Sequence, residues 1–267
     1  ELINAKTCNQ PGPVQVMSVT PPSVEDTLCE SICYSTLSVS LTKTITSTEK
    51  KQHGIFFTPP STIVRNIDRL HPYMGNITNV LEPSCGSCEY ISILDKKYRL
   101  TITGIEIHKD IFDSIASFEK PNIHLHNADY LKYTPNCKYD LIIGNPPYFV
   151  MSKHEVENSY YEYFDGRPNI FILFIIKSLR LLTPDGILSF ILPKSFLNCV
   201  YYDKTRKYII DHFKIIDIIE CNVKYLETAQ ETIIMIIQNT MGGYHNDIFC
   251  LKQKFTINRV LYNKKFR

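Results

Sequence analysis

The stretch Asp140-Leu-Ile-Ile-Gly-Asn-Pro-Pro-Tyr148 carries most of the information in this chain. A short apolar run of this kind reads as a buried strand, and it opens straight into Asn-Pro-Pro-Tyr. Two successive prolines hold φ at about −65° and remove two N–H donors, so the carbonyls there stand as rigid acceptors. Asn145 adds a side-chain carbonyl and Tyr148 an aromatic face. The set suits a flat molecule bearing an exocyclic or amide NH2. The carbonyls of Asn145 and Pro146 would each accept one N–H, with Tyr148 stacked on the ring. Drawing both hydrogens into acceptors leaves the nitrogen lone pair aimed at an electrophile.

Outward from this strand the pattern alternates. Residues 79–82, 100–106, 122–127, 187–192, 214–220 and 232–237 read as further strands, and 109–118, 169–182 and 195–210 as helices. Thr183-Pro-Asp-Gly186 reads as a breaker between a helix and a strand. Alternation of this kind predicts an α/β fold, a doubly wound and mostly parallel sheet with helices on both faces. Ligands of such sheets sit beyond the carboxyl ends of the strands, at the switch point. Glu82, Glu106, the Asn127-Ala-Asp129 segment and Asn145 end strands and are the first candidates for chemistry.

Composition sets the bounds. The 267 residues carry 29 Lys plus Arg against 27 Asp plus Glu, a net charge of +2, with 44% hydrophobic residues. That is an ordinary globular balance, neither a disordered polymer nor a protein that coats DNA by bulk charge. The longest apolar run, from Ile170 to Ile176, is far short of the roughly 20 residues that span a bilayer, so no membrane partner is expected. Residues 1–10 lack the pattern of a signal peptide, and the nine cysteines are expected to be reduced thiols of an intracellular protein. Cys85-Gly-Ser-Cys88 has metal-like spacing, but no second pair completes a tetrahedral site, so no metal is expected. Residues 1–50, with Pro-Gly-Pro at 11–13 and a Ser/Thr-rich run at 35–48, read as an arm or peripheral helix, with Ser23 capping a short helix to about Tyr34. The chain starts with Glu and has no Met before Met17, which leaves room for residues upstream.

Taken in order, these segments resemble the gamma class of N6-adenine DNA methyltransferases, which use S-adenosylmethionine. The resemblance covers about 180 residues, from Gly54 to Gln238. It rests on Thr58-Pro-Pro-Ser-Thr-Ile63, Leu81-Glu-Pro-Ser-Cys-Gly-Ser87, Thr103-Gly-Ile-Glu-Ile107, Asn127-Ala-Asp-Tyr-Leu131, the Asn-Pro-Pro-Tyr turn and Leu192-Pro-Lys-Ser-Phe-Leu197. It implies a seven-stranded, Rossmann-like class I methyltransferase domain over 51–240 and a short basic segment over 241–267. It also implies roles. Glu82, Pro83, Ser84, Cys85 and Gly86 would wrap the methionine part of the cofactor. Glu106 would accept hydrogen bonds from the ribose hydroxyls, and Ile107 would pack on the cofactor's adenine. Asp129 would accept from the adenine N6, Thr58 would bind the methionine carboxylate, and Pro147 would line the cofactor side. Tyr225, in the loop before the last strand, would face Tyr148 across a flipped base in double-stranded DNA.

Two departures from the class stand out. Its cofactor loop commonly ends Gly-Ser-Gly where this chain has Gly86-Ser-Cys88. If that position needs φ > 0, a cysteine there costs roughly 1–2 kcal/mol. The class also usually carries a target-recognition domain after the last strand, whereas 27 residues follow Thr240 here. Those hold six Lys/Arg and one Asp, a +5 end on a −3 body. Either the chain is then a catalytic fragment, or sequence reading falls to the arm, the 151–168 loop, a homodimer mate or a second subunit. Other substrates stay open: the glutamine side chain of a protein, adenine in RNA, or the N4 amine of cytosine. An inactive methyltransferase-like subunit that binds DNA or a partner enzyme is the alternative from a different class.

Overall fold

The computed structural model describes residues 33–221, 223, 225 and 230–240. The segment 241–267 and the helix expected from Ser23, up to residue 32, lie outside the described residues. Seven strands form one sheet: β1 Asn79–Glu82, β2 Thr101–Glu106, β3 Ile123–Asn127, β4 Tyr139–Gly144, β5 Leu182–Pro193, β6 Lys214–Cys221 and β7 Thr232–Gln238. Their spatial order is β3-β2-β1-β4-β5-β7-β6. All neighbours pair in parallel except β7, which runs antiparallel to both β5 and β6. The doubly wound, mostly parallel sheet expected from the alternation is therefore present.

Period-two alternation divides the strands between two core layers. Ile234 and Ile236 of β7 join Val80, Ile102, Leu141 and Ile143 in one layer. That layer is covered by helices α3 (Pro60–Leu70) and α4 (Glu89–Lys97). Ile233, Met235 and Ile237 face the other layer with Leu81, Ile142 and Phe190, under helix α6 (Ile170–Leu181). Helix α6 is apolar nearly all round because it is covered on both sides, by the sheet and by Val156, Tyr160, Tyr163 and Phe164 of the 151–168 segment. That segment is thus anchored in the core, and Arg180 stacks between the rings of Tyr160 and Tyr163 at 5.1 and 5.3 Å. The remaining helices are α1 Thr36–Thr44, α2 Ser47–His53, α5 Lys109–Ile115 and α7 Asp203–His212.

Of the stretch expected as an arm or peripheral helix, residues 33–50 carry α1 and the start of α2, which belong to the same compact unit as the sheet, with Leu41 and Ile45 packed with Phe57 and Ile111. The single helix expected over 195–210 is broken into two 3-10 turns, Lys194–Leu197 and Val200–Tyr202, followed by α7. The break has a cause. Buried Arg206 turns back to donate to the carbonyls of Phe196 and Cys199, which a continuous helix would have used internally.

At the amino end of β4, Asp140 joins three strands. Its carboxylate accepts from Thr78 N, Thr78 Oγ1 and Asn79 N at 2.9–3.0 Å and from Thr183 Oγ1 at 3.0 Å. Burial pushes this carboxyl up, but the hydrogen bonds outweigh it and hold it below the usual aspartate range. Asp140→Ala is expected to cost about 1–2 kcal/mol, allowing for the group's partial solvent exposure. A lowered folded value means that this stability is present above the ordinary aspartate range and lost as pH falls through the folded value. Denaturant titrations at pH 7 and pH 3 should show the variant and the parent converging at the lower pH.

Candidate active site

The carboxyl ends of β1, β2 and β4 meet at the switch point between β1 and β4, and a cleft of about 790 Å3 opens there. Pro83, Ser84, Gly86, Glu106, Ile107, Asp129, Asn145 and Pro147, all expected from sequence, line it together. Thr58 stands behind Asn145. Glu82 and Cys85 are buried in the wall, and Pro146 is buried in the turn.

The loop after β1 is built tightly. Gly86 has φ +50°, and its N–H donates to Glu106 Oε2 at 3.0 Å. The other carboxylate oxygen of Glu106 accepts from His108 N at 2.7 Å. One acidic residue thus holds two loops at the rim, and its oxygens keep lone pairs for further donors. Burial raises the Glu106 carboxyl above the usual range despite these amides. Glu82 lies deeper. Burial, with Cys88, Glu106 and Glu89 adding to it, pushes its carboxyl well up. Among the described residues its Oε2 has no hydrogen-bond partner. Cys88 takes φ +60°, so the left-handed conformation that a glycine would favour is imposed on a fully buried cysteine. Asp129 Oδ1 accepts from Leu131 N at 2.9 Å, leaving Oδ2 with only a long ion pair to Lys132.

The Asn-Pro-Pro-Tyr turn is held from three sides. Ser84 Oγ donates to the Asn145 carbonyl at 3.1 Å, tying the β1 loop to the turn. Asn145 Nδ2 donates to Thr58 Oγ1 at 3.1 Å, which fixes the direction of the amide. The Tyr148 hydroxyl lies 2.5 Å from Asn145 Oδ1 and 2.8 Å from the Ile191 carbonyl, and it has one hydrogen for both. Burial raises this phenol well above its ordinary value, so it stays a neutral donor. Its ring meets Phe171 edge-on at 5.9 Å. Tyr225 is only 7% exposed, and burial raises its phenol too.

Gly54, which caps α2, closes the turn from behind. Its φ is +64°, and a Cβ there would stand 2.6 Å from Tyr148 N and 3.1 Å from Pro147 Cβ. Gly54→Ala combines left-handed strain of roughly 1–2 kcal/mol with a backbone clash. We expect Tm to fall by several degrees because the turn must shift, which a melting curve checks. Sequence reading missed this contact, and it missed Phe57, Phe149, Phe174, His53 and His108 in the lining. Phe57 and Phe149 were within reach of inference, since they adjoin Thr58 and Tyr148.

The cleft fits an adenosyl cofactor on three counts. A carboxylate stands at the rim, an orphaned buried carboxyl lies in the β1 wall, and Ile107, 64% exposed, offers an apolar face at the end of β2. Sheet order and cleft together define a class I S-adenosylmethionine-dependent methyltransferase fold. A putative class I S-adenosylmethionine-dependent methyltransferase from Listeria monocytogenes superposes with a TM-score of 0.60 at 18% identity, covering 79% of this chain and 67% of that one. The M protein of the type I restriction enzyme EcoKI gives a TM-score of 0.53 at 14% identity, over 69% of this chain and 44% of the other.

The chain belongs to the Eco57I restriction-modification methylase family, whose model matches residues 35–226. Modification methylase CviBIII of Paramecium bursaria Chlorella virus NC1A is 32% identical over 223 residues, covering 78% of this chain and 56% of that protein. Type II methyltransferase M.CvrRI of Paramecium bursaria Chlorella virus XZ-6E is 32% identical over 216 residues, covering 78% and 54%. The chain therefore spans about half the length of these curated relatives. The family match begins at residue 35, so α1 is part of the matched domain.

Proposed function

We propose that this chain transfers a methyl group from S-adenosylmethionine to the N6 amine of an adenine flipped out of double-stranded DNA. The observation that carries it is the amide of Asn145. It sits at the end of β4 beside the cleft, and Thr58 and Tyr148 hold it with Oδ1 available as an acceptor. Oδ1 has two lone pairs, one for the Tyr148 hydroxyl and one for a substrate N–H. The Pro146 carbonyl takes the second N–H, and the nitrogen lone pair is left free.

Bound S-adenosylmethionine supplies an electrophilic methyl group on its sulfonium. Glu106 receives the ribose hydroxyls, Ile107 packs on the adenine ring, and Asp129 accepts from its N6. The wall from Glu82 to Gly86, with Thr58, holds the methionine part. Pro147 separates the cofactor from the target. Tyr148 and Tyr225 bound the base, each stacking face contributing roughly 1–3 kcal/mol against the few kcal/mol of unstacking.

Labelled cofactor, offered with separate DNA, RNA and protein substrates, tests the proposal. Label on adenine N6 of duplex DNA supports it; label on cytosine, RNA or a glutamine side chain moves the substrate. A second reading, a subunit that binds DNA without methylating it, rests on the strained Cys88 in the cofactor loop. Absence of cofactor binding would favour that one.

A further inference from the structure

Helix α1 reaches the cofactor loop through a small polar network that none of the roles above uses. Ser38, fully buried in α1, has its Oγ 2.8 Å from Ser87 Oγ and 2.5 Å from Glu89 Oε1. The same Glu89 oxygen accepts from Ser35 N, the N-cap residue of α1, at 3.0 Å. Ser87 and Glu89 are the two neighbours of Cys88, which stands at φ +60°. The loop is therefore gripped on both sides of its strained residue by a helix about fifty positions upstream. Gly86, one residue further back, is the one whose N–H meets Glu106 at the cleft rim.

A glycine at position 88 would adopt φ > 0 without steric cost. A cysteine does not, and its loop relaxes toward negative φ unless something outside the loop opposes it. The turn's own bond, Cys88 N to Cys85 O at 2.8 Å, is local and persists through modest changes of φ. The contacts of Ser87 and Glu89 to Ser38 and Ser35 are tertiary and flank Cys88 itself, whereas the loop's other tertiary bonds, Gly86 N to Glu106 and Cys85 N to the Ile105 carbonyl, lie before it. Buried polar networks of this sort specify one geometry because every alternative leaves a donor or acceptor unpaired.

We propose that α1 is a clamp on the cofactor loop, in which Ser38 and Glu89 act as positioning residues that hold Cys88 in its left-handed conformation and so preorganise the loop for the adenosyl cofactor. The inference rests on the cofactor reading above. It explains how a loop lacking the usual glycine is kept in shape, and it makes α1 part of the binding machinery without touching ligand. Preorganisation of this kind appears as affinity, since a loop ordered in advance loses less freedom on binding.

The test is a double-mutant cycle on the full chain, with S-adenosylmethionine affinity measured by calorimetry well below each variant's melting temperature. Hydrogen exchange of the amides at 86–88, without cofactor, is followed alongside. Ser38→Ala and Glu89→Ala should each raise Kd about tenfold and speed exchange at these amides, and Glu89→Gln, which keeps the acceptor oxygen, should recover most of the loss. Cys88→Gly should be neutral or favourable alone. In the Ser38→Ala background it should bring Kd back to within about twofold of the parent, a non-additivity that loss of packing alone would not give. Unchanged Kd and exchange in Ser38→Ala and Glu89→Ala would overturn the clamp, as would a Ser38→Ala loss that Cys88→Gly leaves intact. A parent chain that binds no cofactor refutes the function proposed above instead, and the exchange rates still decide whether α1 orders the loop. Should Ser38→Ala fail to fold, Glu89→Gln and Glu89→Ala against Cys88→Gly complete the same cycle.

Discussion

Asn145→Ala is expected to lower methyl transfer by about 100–1000-fold, the usual loss when one preorganised polar group at the reacting centre is removed. Cofactor affinity should change only a few-fold, because Ser84 reaches the backbone carbonyl of residue 145 rather than its side chain. The variant also leaves the Thr58 hydroxyl without its amide donor and frees the Tyr148 hydroxyl to bond Ile191 alone. Asn145→Asp separates charge from shape. A carboxylate keeps an acceptor toward Tyr148 but has no hydrogen to give Thr58, whose hydroxyl must turn and donate instead, so partial activity is expected. Single-turnover rates at saturating cofactor, with Kd measured separately, check the division between chemistry and binding.

Glu106→Ala is expected to weaken cofactor binding by about 100-fold or more. Two half-buried backbone N–H groups, of Gly86 and His108, lose their acceptor at once, each at a cost of up to about 1 kcal/mol. The carboxylate proposed for the ribose hydroxyls disappears with them. Glu106→Gln should recover only part, since one end of its amide is an NH2 that faces an N–H donor. The raised carboxyl also has a pH signature. Protonation of Glu106 sets in at a higher pH than for an exposed glutamate, so cofactor affinity should begin to fall earlier on acidification. Calorimetric titrations between pH 5 and pH 8 read this directly, and the alanine variant should lack that component.

Much of this site was open to inference because strand ends in a doubly wound sheet are fixed by topology. Apart from β5, which starts five residues before its expected start at 187, each apolar run with β-branched residues became a strand within a residue or two of its expected ends, which placed Glu82, Glu106 and Asn145 at one edge. Contacts between distant segments had no such signal. That Thr58 would orient Asn145, 87 positions away, or that Gly54 would back Tyr148, depends on how α2 and α3 are set against the sheet. The Ser/Thr-rich run at 35–48 misled for a different reason. Ser and Thr are poor inside helices but good at their starts, and here Ser35 and Thr46 cap α1 and α2. The signal was present in Thr46 with Glu49, a capping box of the ordinary spacing. Thr183-Pro-Asp-Gly186, expected as a breaker between helix and strand, does follow the end of α6 at Leu181, but it lies within β5, where the register with β4 shifts and Asp185 takes φ +61°.

The reversed direction of β7 sets a problem of reach. β7 starts beside Pro193, at the cleft end of β5, and finishes at Gln238 beside Ile187. Its seven residues therefore carry the chain away from the proposed target base by about 24 Å. Any DNA-reading module joined after residue 240 begins on the far side of the domain and has to double back around an edge of the sheet before it can meet the substrate.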